Sequence, residues 1–269
     1  MSIIDKKQMT EEDIKLNFIT PAILEKGWQD KITMETKVKF TAGKVNLRGN
    51  LVSREAPKKA DYILYLSKNN PLAVVEAKDN NHGVSFGMQQ AKLYAQMLDV
   101  PFAYSSNGDA FQEYDFITGI EREIGLDDFP SPEELWARYQ NEINNGKGLS
   151  ETERMLIAQP YYTSQNTYPP RYYQQVAVNR TMEAIAKGQQ RILLVMATGT
   201  GKTYTAFQIV YRLLQSGIKQ KILYLADRNN LVDQTISGDF KPLEKVIHKI
   251  NFARDDRTTI TSHQVYFSL

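Results

Sequence analysis

The order of apolar and polar residues along the first half of the chain predicts a mixed α/β domain. Between residues 10 and 28 the apolar side chains recur at helical spacing, and Thr10 precedes three acidic residues as an N-cap does. Two strand-like runs, DYILYL and PLAVVEAK, flank the turn-prone residues 67–70 and predict a β-hairpin. The other elements predicted here are a half-buried strand in residues 31–40, a helix from about 84 to 98, two short strands within 100–115 and a helix capped by Ser131.

The second half of the chain has the alternating pattern of a parallel α/β sheet. Residues 144–170 are rich in Gly, Asn, Ser, Thr and Pro, which predicts a domain boundary. Beyond them, the apolar runs RILLVM and KILYLA predict two buried strands around an amphipathic helix, the βαβ unit of parallel sheets. We therefore expect a first domain in residues 1–148, a linker in 149–169 and a second domain in 170–269.

Composition narrows the class of protein without deciding its partner. With 269 residues, 42% of them hydrophobic, the chain can form two cores. The absence of cysteine excludes disulfides and thiolate metal sites and fits a cytoplasmic protein. No apolar run has the length of about 18 residues that a membrane span needs, and no secretory signal is visible, so we expect no membrane partner. The net charge of +2 neither indicates nor excludes nucleic acid.

The run PLAVVEAK ends in a carboxylate and an ammonium group on one face of the predicted strand. Side chains alternate along a strand, so Glu76 and Lys78 point the same way. If Leu66 pairs near Leu72 in the hairpin, Asp61 lies diagonal to both charged residues. A register shifted by one residue would flip the faces. With this register the three side chains form a compact cluster at one end of the hairpin.

Such a cluster suits metal-dependent hydrolysis of a phosphodiester. Mg²⁺ prefers oxygen ligands and keeps several waters, so Asp61 and Glu76 are the candidate metal ligands. The ion can orient and acidify a water, and Lys78 can position that water and offset developing charge. The alternative is an ordinary surface ion pair at the end of a strand.

A second polar pair follows on the next predicted helix. Gln90 and Tyr94 are four residues apart and share one helix face, although a packed tyrosine beside a solvated glutamine would have the same spacing. Together with Asp61, Glu76 and Lys78, this Q-x-x-x-Y helix resembles the PD-(D/E)xK nuclease core. The resemblance implies a restriction-endonuclease-like fold, a mixed sheet flanked by helices, and catalytic roles for all five residues.

The match to this nuclease core departs from the family pattern at one position and leaves another open. Ala60 precedes Asp61, so only the aspartate of the family's Pro-Asp pair is present. The family often adds an acid from the first helix. Glu11 is the candidate for that catalytic acid here, and Glu12 is the alternative.

A glycine-rich loop follows the predicted strand RILLVM and opens the next helix. Residues 196–203 read MATGTGKT, in the strand–loop–helix context of a phosphate-binding P-loop. Lys202 can reach the β- and γ-phosphates, and the Thr203 hydroxyl can bind Mg²⁺. Met196 replaces the first glycine of the usual pattern, which helicase-like P-loops tolerate; the alternative is a chance Gly-Lys-Thr at a helix cap. The residues expected to contact ATP are Gly199, Thr200, Gly201, Lys202 and Thr203.

The sequence around this loop resembles part of a RecA-like lobe, the first motor lobe of superfamily 2 helicases. Gln174 resembles the glutamine that reads adenine, with Arg171 placed to stack on the ring or pair with phosphate. Residues 225–235 resemble motif Ia, which contacts the nucleic-acid backbone. The Asp-Glu dipeptide of a Walker B motif occurs nowhere in the sequence. We therefore expect a truncated lobe, in an N-terminal piece of a longer protein, that binds nucleotide without useful hydrolysis or translocation.

The motifs occur in the order found in the restriction subunit of type I restriction–modification enzymes, and the resemblance spans nearly the whole chain. It implies a Mg²⁺-dependent endonuclease that uses ATP and cuts foreign, unmethylated double-stranded DNA in a complex with methyltransferase and specificity subunits. Two alternatives stay open. In one, the nuclease-like domain of a P-loop protein serves only for docking. In the other, the chain is a defective or regulatory fragment that competes for the methyltransferase partners without cutting.

Overall fold

The computed structural model describes residues 5–34, 45–48, 51–54, 59–143, 146–165, 168–256 and 261–269. The chain divides into two compact units. The first comprises residues 1–149 and 170–176, and the second comprises residues 150–169 and 177–269. The segment predicted as a linker, 149–169, falls almost entirely in the second unit, and part of it is helical. None of the described helices is both long and apolar enough to cross a membrane.

A mixed sheet forms the framework of the first unit. In chain order the strands are β1 (Ile32–Met34), β2 (Val45–Arg48), β3 (Leu51–Arg54), β4 (Tyr62–Ser67), β5 (Asn70–Ala77), β6 (Phe102–Ser106), β7 (Ala110–Asp115) and β8 (Glu121–Gly125). The sheet has the order β1-β4-β5-β6-β7-β8, and β2 pairs with β3 in a separate ribbon. β5 and β6 are parallel, whereas the other neighbours in the sheet are antiparallel. Residues 35–40 of the first predicted strand lie outside the described residues.

The hairpin β4–β5 supplies the centre of this sheet. Every residue of β5 is buried, as expected for an apolar strand covered on both faces. Lys68 and Asn69 form a two-residue turn, and Asn69, its second residue, has a left-handed backbone (φ 65°). This tight turn fixes the register, so Tyr62 lies opposite Val75. The predicted hairpin is confirmed, but its predicted register is wrong by one residue because the turn is shorter than expected.

Four α-helices accompany the sheet in the described part of the first unit. They are α1 (Glu11–Ile14), α2 (Thr20–Glu25), α3 (Met88–Leu98) and α4 (Pro132–Glu142), and a π-helical turn, Lys15–Ile19, joins the first two. Thr10 caps α1 in a capping box with Asp13, and Ser131 caps α4, as predicted. α3 packs on β5 and β6 and begins four residues later than predicted, because residues 84–87 form turns.

The second unit contains a small parallel sheet with helices. Its elements are α5 (Glu151–Ala158), α6 (Tyr172–Ala186, which begins in the first unit), α7 (Lys202–Gln215), β9 (Ile222–Leu225), α8 (Asn229–Ser237), β10 (Ile247–Lys249) and β11 (Val265–Ser268). The strands are parallel in the order β10-β11-β9. Phe207, Phe240 and Phe267 lie in the core between the sheet and its helices. The predicted helices are confirmed. KILYLA forms a strand as predicted, but the strand is not buried, because Leu223 and Leu225 are 56% and 63% exposed.

The predicted strand RILLVM is wrong. Residues 191–197 have no regular secondary structure, and Leu193 and Val195 are 85% and 89% exposed. A strand is stable only when a neighbouring strand binds its N–H and C=O groups. None of the described strands of the second unit pairs with this run. An apolar run alone therefore did not suffice to predict a strand here.

Candidate active site

The structure brings Asp61, Glu76 and Lys78 together at the end of the β4–β5 hairpin. The Lys78 Nζ donates a hydrogen bond to Glu76 Oε1 (2.8 Å) and another to the Ala77 carbonyl oxygen (2.8 Å). The Ala77 N–H donates to Asp61 Oδ2 (2.8 Å). The one-residue shift of register therefore did not separate the three side chains, and they form the predicted cluster.

Glu76 is an electrostatically strained carboxyl group. Its side chain is only 3% exposed, and its Oε2 has no hydrogen-bond partner among the described residues. Burial, followed by the charge of Asp61, raises the pKa of Glu76 to about 7, although Lys78 acts in the opposite direction. An unsatisfied buried acceptor costs about 1–3 kcal/mol. A cation or a water that contacted this oxygen would remove that cost.

Lys78 remains a cation in this environment. Burial lowers its pKa, but the hydrogen bond and the charge of Glu76, with the charges of Glu11 and Asp61, outweigh burial and raise the pKa above its ordinary value. The site thus combines a protonated ammonium with a carboxyl group that ionises near neutral pH. Perturbed pKa values of this kind cluster at functional sites.

The N-terminal helical segment contributes acids and an unforeseen lysine. Lys15 Nζ lies 2.9 Å from Asp61 Oδ1, 2.8 Å from Glu12 Oε1 and 3.5 Å from Glu11 Oε1. The predicted first-helix acid, Glu11, is close enough for its charge to raise the pKa of Glu76. Sequence analysis missed Lys15, although the acids three and four residues before it were a signal for an ion pair on the helix.

The predicted helix pair also lies at this site. The Gln90 Nε2 donates a hydrogen bond to the Tyr94 hydroxyl (3.0 Å). Burial raises the pKa of Tyr94, the hydrogen bond from Gln90 lowers it, and the charges of Glu76 and Asp61 raise it further. The tyrosine is thus a neutral hydroxyl within electrostatic range of the acidic cluster.

The start of α3 lies directly against the cluster. A Cβ atom on Gly87 would lie 2.8 Å from Ser105 Oγ, 3.1 Å from Glu76 Cγ and 3.4 Å from Lys78 Cγ. Ser105 accepts a hydrogen bond from the Gly87 N–H (3.1 Å) and donates to the Val84 carbonyl (2.8 Å). Only glycine allows this close packing, so Gly87 and Ser105 position the helix. Sequence analysis missed both, because neither belongs to a recognisable motif.

The cluster has too few protein ligands to surround a metal ion completely, but it suits Mg²⁺, which keeps several waters. Among the described residues, no group of three or more His, Cys, Asp or Glu is arranged to hold a metal ion. Mg²⁺ is commonly bound by one or two carboxylates and retains waters. Asp61 and Glu76 provide two carboxylates, and the unpartnered Glu76 Oε2 is a free oxygen ligand. Both residues are hence able to hold Mg²⁺.

In the second unit, the glycine-rich loop leads directly into α7. Gly199 and Gly201 have left-handed φ values of 78° and 82°, and Gly201 is the N-cap of α7. The Thr200 hydroxyl donates to the Ala197 carbonyl (2.6 Å). Lys202 is exposed, and its Nζ lies 3.3 Å from two carbonyl oxygens of the same loop. The first N–H groups of α7, including that of Thr203, have no partner within the helix, and such groups bind phosphate in other proteins.

The predicted adenine-reading residues lie at the start of α6, in the first unit. The Arg171 backbone N–H donates to Gln174 Oε1 (2.8 Å), so the glutamine side chain caps the helix. The Arg171 guanidinium donates to the Tyr173 hydroxyl (2.8 Å). Gln174 is buried and Arg171 is exposed.

Comparison with known proteins identifies the class. Residues 31–130 match the family described as type I restriction enzyme R protein N terminus (HSDR_N). Residues 167–269 match the family described as type III restriction enzyme, res subunit. The two matches fall on the part that carries the acidic cluster and the part that carries the glycine-rich loop. They place the chain among restriction enzymes with a helicase-like region.

Individual relatives narrow this class. The chain is 44% identical to the EcoAI endonuclease subunit of a type I restriction enzyme from Escherichia coli, over 100% of this chain and 33% of that subunit. It is 34% identical to the E. coli K12 EcoKI endonuclease subunit, over 66% of this chain and 18% of that subunit. A solved fragment assigned to an HsdR subunit of a Vibrio vulnificus type I restriction enzyme matches with a TM-score of 0.77 and 36% identity, covering 96% of this chain and 46% of that one.

The chain belongs to the family of type I restriction enzyme R (HsdR) subunits. The predicted resemblance to the restriction subunit of type I restriction–modification enzymes is thereby confirmed. The chain spans about a third of the length of the EcoAI subunit.

Proposed function

We propose that the first unit is a PD-(D/E)xK nuclease domain and that Asp61, Glu76 and Lys78 form its Mg²⁺-dependent centre for cutting double-stranded DNA. The observation that carries this proposal is the ion pair between Lys78 and Glu76. The second carboxylate oxygen of Glu76 is buried without a partner among the described residues, and Asp61 is close enough for its charge to raise the pKa of Glu76. A buried carboxylate oxygen without a partner beside another carboxylate needs an explanation, and a bound cation supplies one.

Each residue of the centre would have its own role in the reaction. Asp61 and Glu76 would hold Mg²⁺, which when bound supplies Lewis-acid stabilisation of the phosphate and acidifies a water. Lys78, kept protonated by Glu76, would donate hydrogen bonds to the attacking water or to the phosphate oxygens as negative charge develops there. Gln90 and Tyr94 add neutral hydrogen-bonding groups that can orient the phosphate backbone.

For the second unit, we propose that residues 196–203 bind the phosphates of ATP. The left-handed glycines and the helix N-terminus support this, because they direct backbone N–H groups toward an anion. Lys202 would neutralise the β- and γ-phosphates, and Thr203 would bind Mg²⁺. The sequence contains no Asp-Glu dipeptide, so we propose nucleotide binding without hydrolysis for this chain.

The family membership supports a wider proposal about partners. The relatives are endonuclease subunits of type I restriction enzymes. We propose that this chain, too, acts on double-stranded DNA in the cytoplasm, within a complex that includes methyltransferase and specificity subunits.

The first test is nicking of supercoiled plasmid DNA by this chain with Mg²⁺ and no ATP. We expect nicking by the wild type and none by Lys78→Ala, whereas Lys68→Ala, which changes an exposed lysine in the hairpin turn, should nick normally. Equal nicking by the Lys78→Ala variant would refute the proposed centre. Binding to the partner subunits with no cutting in the assembled enzyme would favour the docking alternative.

A further inference from the structure

A buried lysine, Lys15, lies beside Asp61 in the candidate active site. The Lys15 side chain is only 8% exposed, beside the fully buried Ile14 and just before the exposed Leu16. It opens the π-helical turn Lys15–Ile19. Turns of this kind are rare and are found frequently at functional sites. The local backbone thus directs an ammonium group inward, toward the acids of the site.

The ammonium of Lys15 contacts one of the oxygens that a metal would use. Its Nζ lies 2.9 Å from Asp61 Oδ1, and the other oxygen of Asp61 already accepts the Ala77 N–H. Asp61 therefore has one oxygen for a cation, and Lys15 binds it. A Mg²⁺ ion at its usual distance of about 2 Å from that oxygen would lie within about 5 Å of the ammonium. Two cations that close repel each other strongly.

The neighbouring acids provide other ion-pair partners for the Lys15 ammonium. Glu12 Oε1 lies 2.8 Å and Glu11 Oε1 lies 3.5 Å from the same Nζ, and both acids are on α1, one turn before Lys15. If Lys15 left Asp61, it would keep these ion pairs. A lysine that only linked a helix to a sheet would need a single acidic partner, whereas Lys15 has three.

We propose that the Lys15 ammonium holds the cation position of Asp61 in the metal-free protein and must leave Asp61 before a divalent cation binds. This inference rests on the proposed function, because it concerns the metal of that same centre. Lys15 thereby lowers the metal affinity of the isolated chain. By linkage, any partner that draws Lys15 away from Asp61, such as a DNA phosphate, strengthens metal binding.

The test is the affinity for Mn²⁺, measured by calorimetry on the whole chain. Lys15→Met removes the charge and keeps an apolar stem, whereas Lys15→Arg keeps the charge. We expect Lys15→Met to bind Mn²⁺ about tenfold or more tighter than the wild type, because a cation within a few ångströms is removed. Lys15→Arg should bind no tighter than the wild type. Lys6→Met, which removes an ion pair with Asp109, is the matched control and should leave the affinity unchanged.

The outcomes separate this inference from the proposed function. Equal or weaker Mn²⁺ binding by folded Lys15→Met, with binding abolished by Asp61→Asn, would overturn the role of Lys15 and leave the metal centre standing. No Mn²⁺ binding by the wild type or by Lys15→Met would overturn both.

A second measurement needs no variant, in case Lys15→Met does not fold. An amine-acetylating reagent is applied to the wild type with and without saturating Mn²⁺, and each lysine is quantified by mass spectrometry. We expect acetylation of Lys15 to rise several-fold with Mn²⁺ while that of Lys6 stays constant. Unchanged acetylation of Lys15 at metal saturation would overturn the inference, because a lysine paired with the exposed Glu12 would be more accessible to the reagent than one held against the largely buried Asp61.

Discussion

Replacing Glu76 by glutamine should stabilise the first unit when no divalent cation is present. Burial and the charge of Asp61 raise the pKa of Glu76 from 4.5 to about 7. The folded protein therefore holds this proton more tightly than the unfolded chain does. Stability then falls as the pH rises from about 4.5 through about 7 and levels off above that range.

The size of this effect follows from the two pKa values. Their difference corresponds to a loss of about 3 kcal/mol in the free energy of unfolding at pH 8. Glutamine resembles the protonated glutamate and cannot ionise. Glu76→Gln should therefore be more stable than the wild type by about 3 kcal/mol at pH 8 and by about 1 kcal/mol or less at pH 5.

The two tryptophans make the assay specific to the first unit. The sequence contains two, Trp28 and Trp136, and both lie in that unit. Urea unfolding followed by tryptophan fluorescence in EDTA, at pH 5 and pH 8, measures the difference, with the exposed Glu133→Gln as the matched control. Added Mg²⁺ should stabilise the wild type and not Glu76→Gln. A variant that is less stable than the wild type at pH 8, or a difference independent of pH, would refute the reasoning.

Three further predictions concern packing, a buried ion pair and the loop. Gly87→Ala should lower DNA cleavage by about tenfold to a hundredfold, because its Cβ would lie 2.8 Å from Ser105 Oγ, whereas Gly83→Ala, which meets nothing within 4 Å, should cut normally in the plasmid assay. Arg138→Met should destabilise the first unit by about 3 kcal/mol, because the buried Glu113 keeps only its ion pair with Arg122 and Asp115 loses its ion pair with Arg138; a loss under about 1 kcal/mol in urea unfolding would contradict this. Lys202→Ala should weaken binding of a fluorescent ATP analogue about tenfold or more, while the exposed Lys219→Ala should not; equal binding by both would exclude the loop as the site.

The sequence was sufficient to predict the acidic cluster because its geometry is mostly local. Strand alternation alone places Glu76 and Lys78 on one face, and the hairpin turn brings Asp61 back beside them. The register was wrong by one residue, because the length of the turn depends on the left-handed Asn69, which the sequence permits without requiring. The hydrogen bond from the Ala77 N–H to Asp61 then fixes the cluster.

Features that depend on distant contacts could not be predicted. Lys15 looks like an ordinary helical ion pair with the preceding acids, and its contact with Asp61 joins residues far apart in the chain. The same holds for Gly87 at the start of α3, where glycine is needed because of the close approach of Ser105 on β6. The apolar run RILLVM shows the opposite error, because its composition favours a strand but no described strand pairs with it. The strand β8 was missed because its exposed, polar residues have no apolar alternation.

In the assembled restriction enzyme, we propose that Asp61, Glu76 and Lys78 form the centre that cleaves DNA. The most direct measurement assembles a longer R subunit carrying Lys78→Ala with its methyltransferase and specificity subunits. Cleavage of unmethylated plasmid DNA and hydrolysis of ATP are then followed in the same samples. We predict that cleavage is lost while assembly and ATP hydrolysis persist at the wild-type level. Cleavage at the wild-type rate by the Lys78→Ala enzyme would contradict the account.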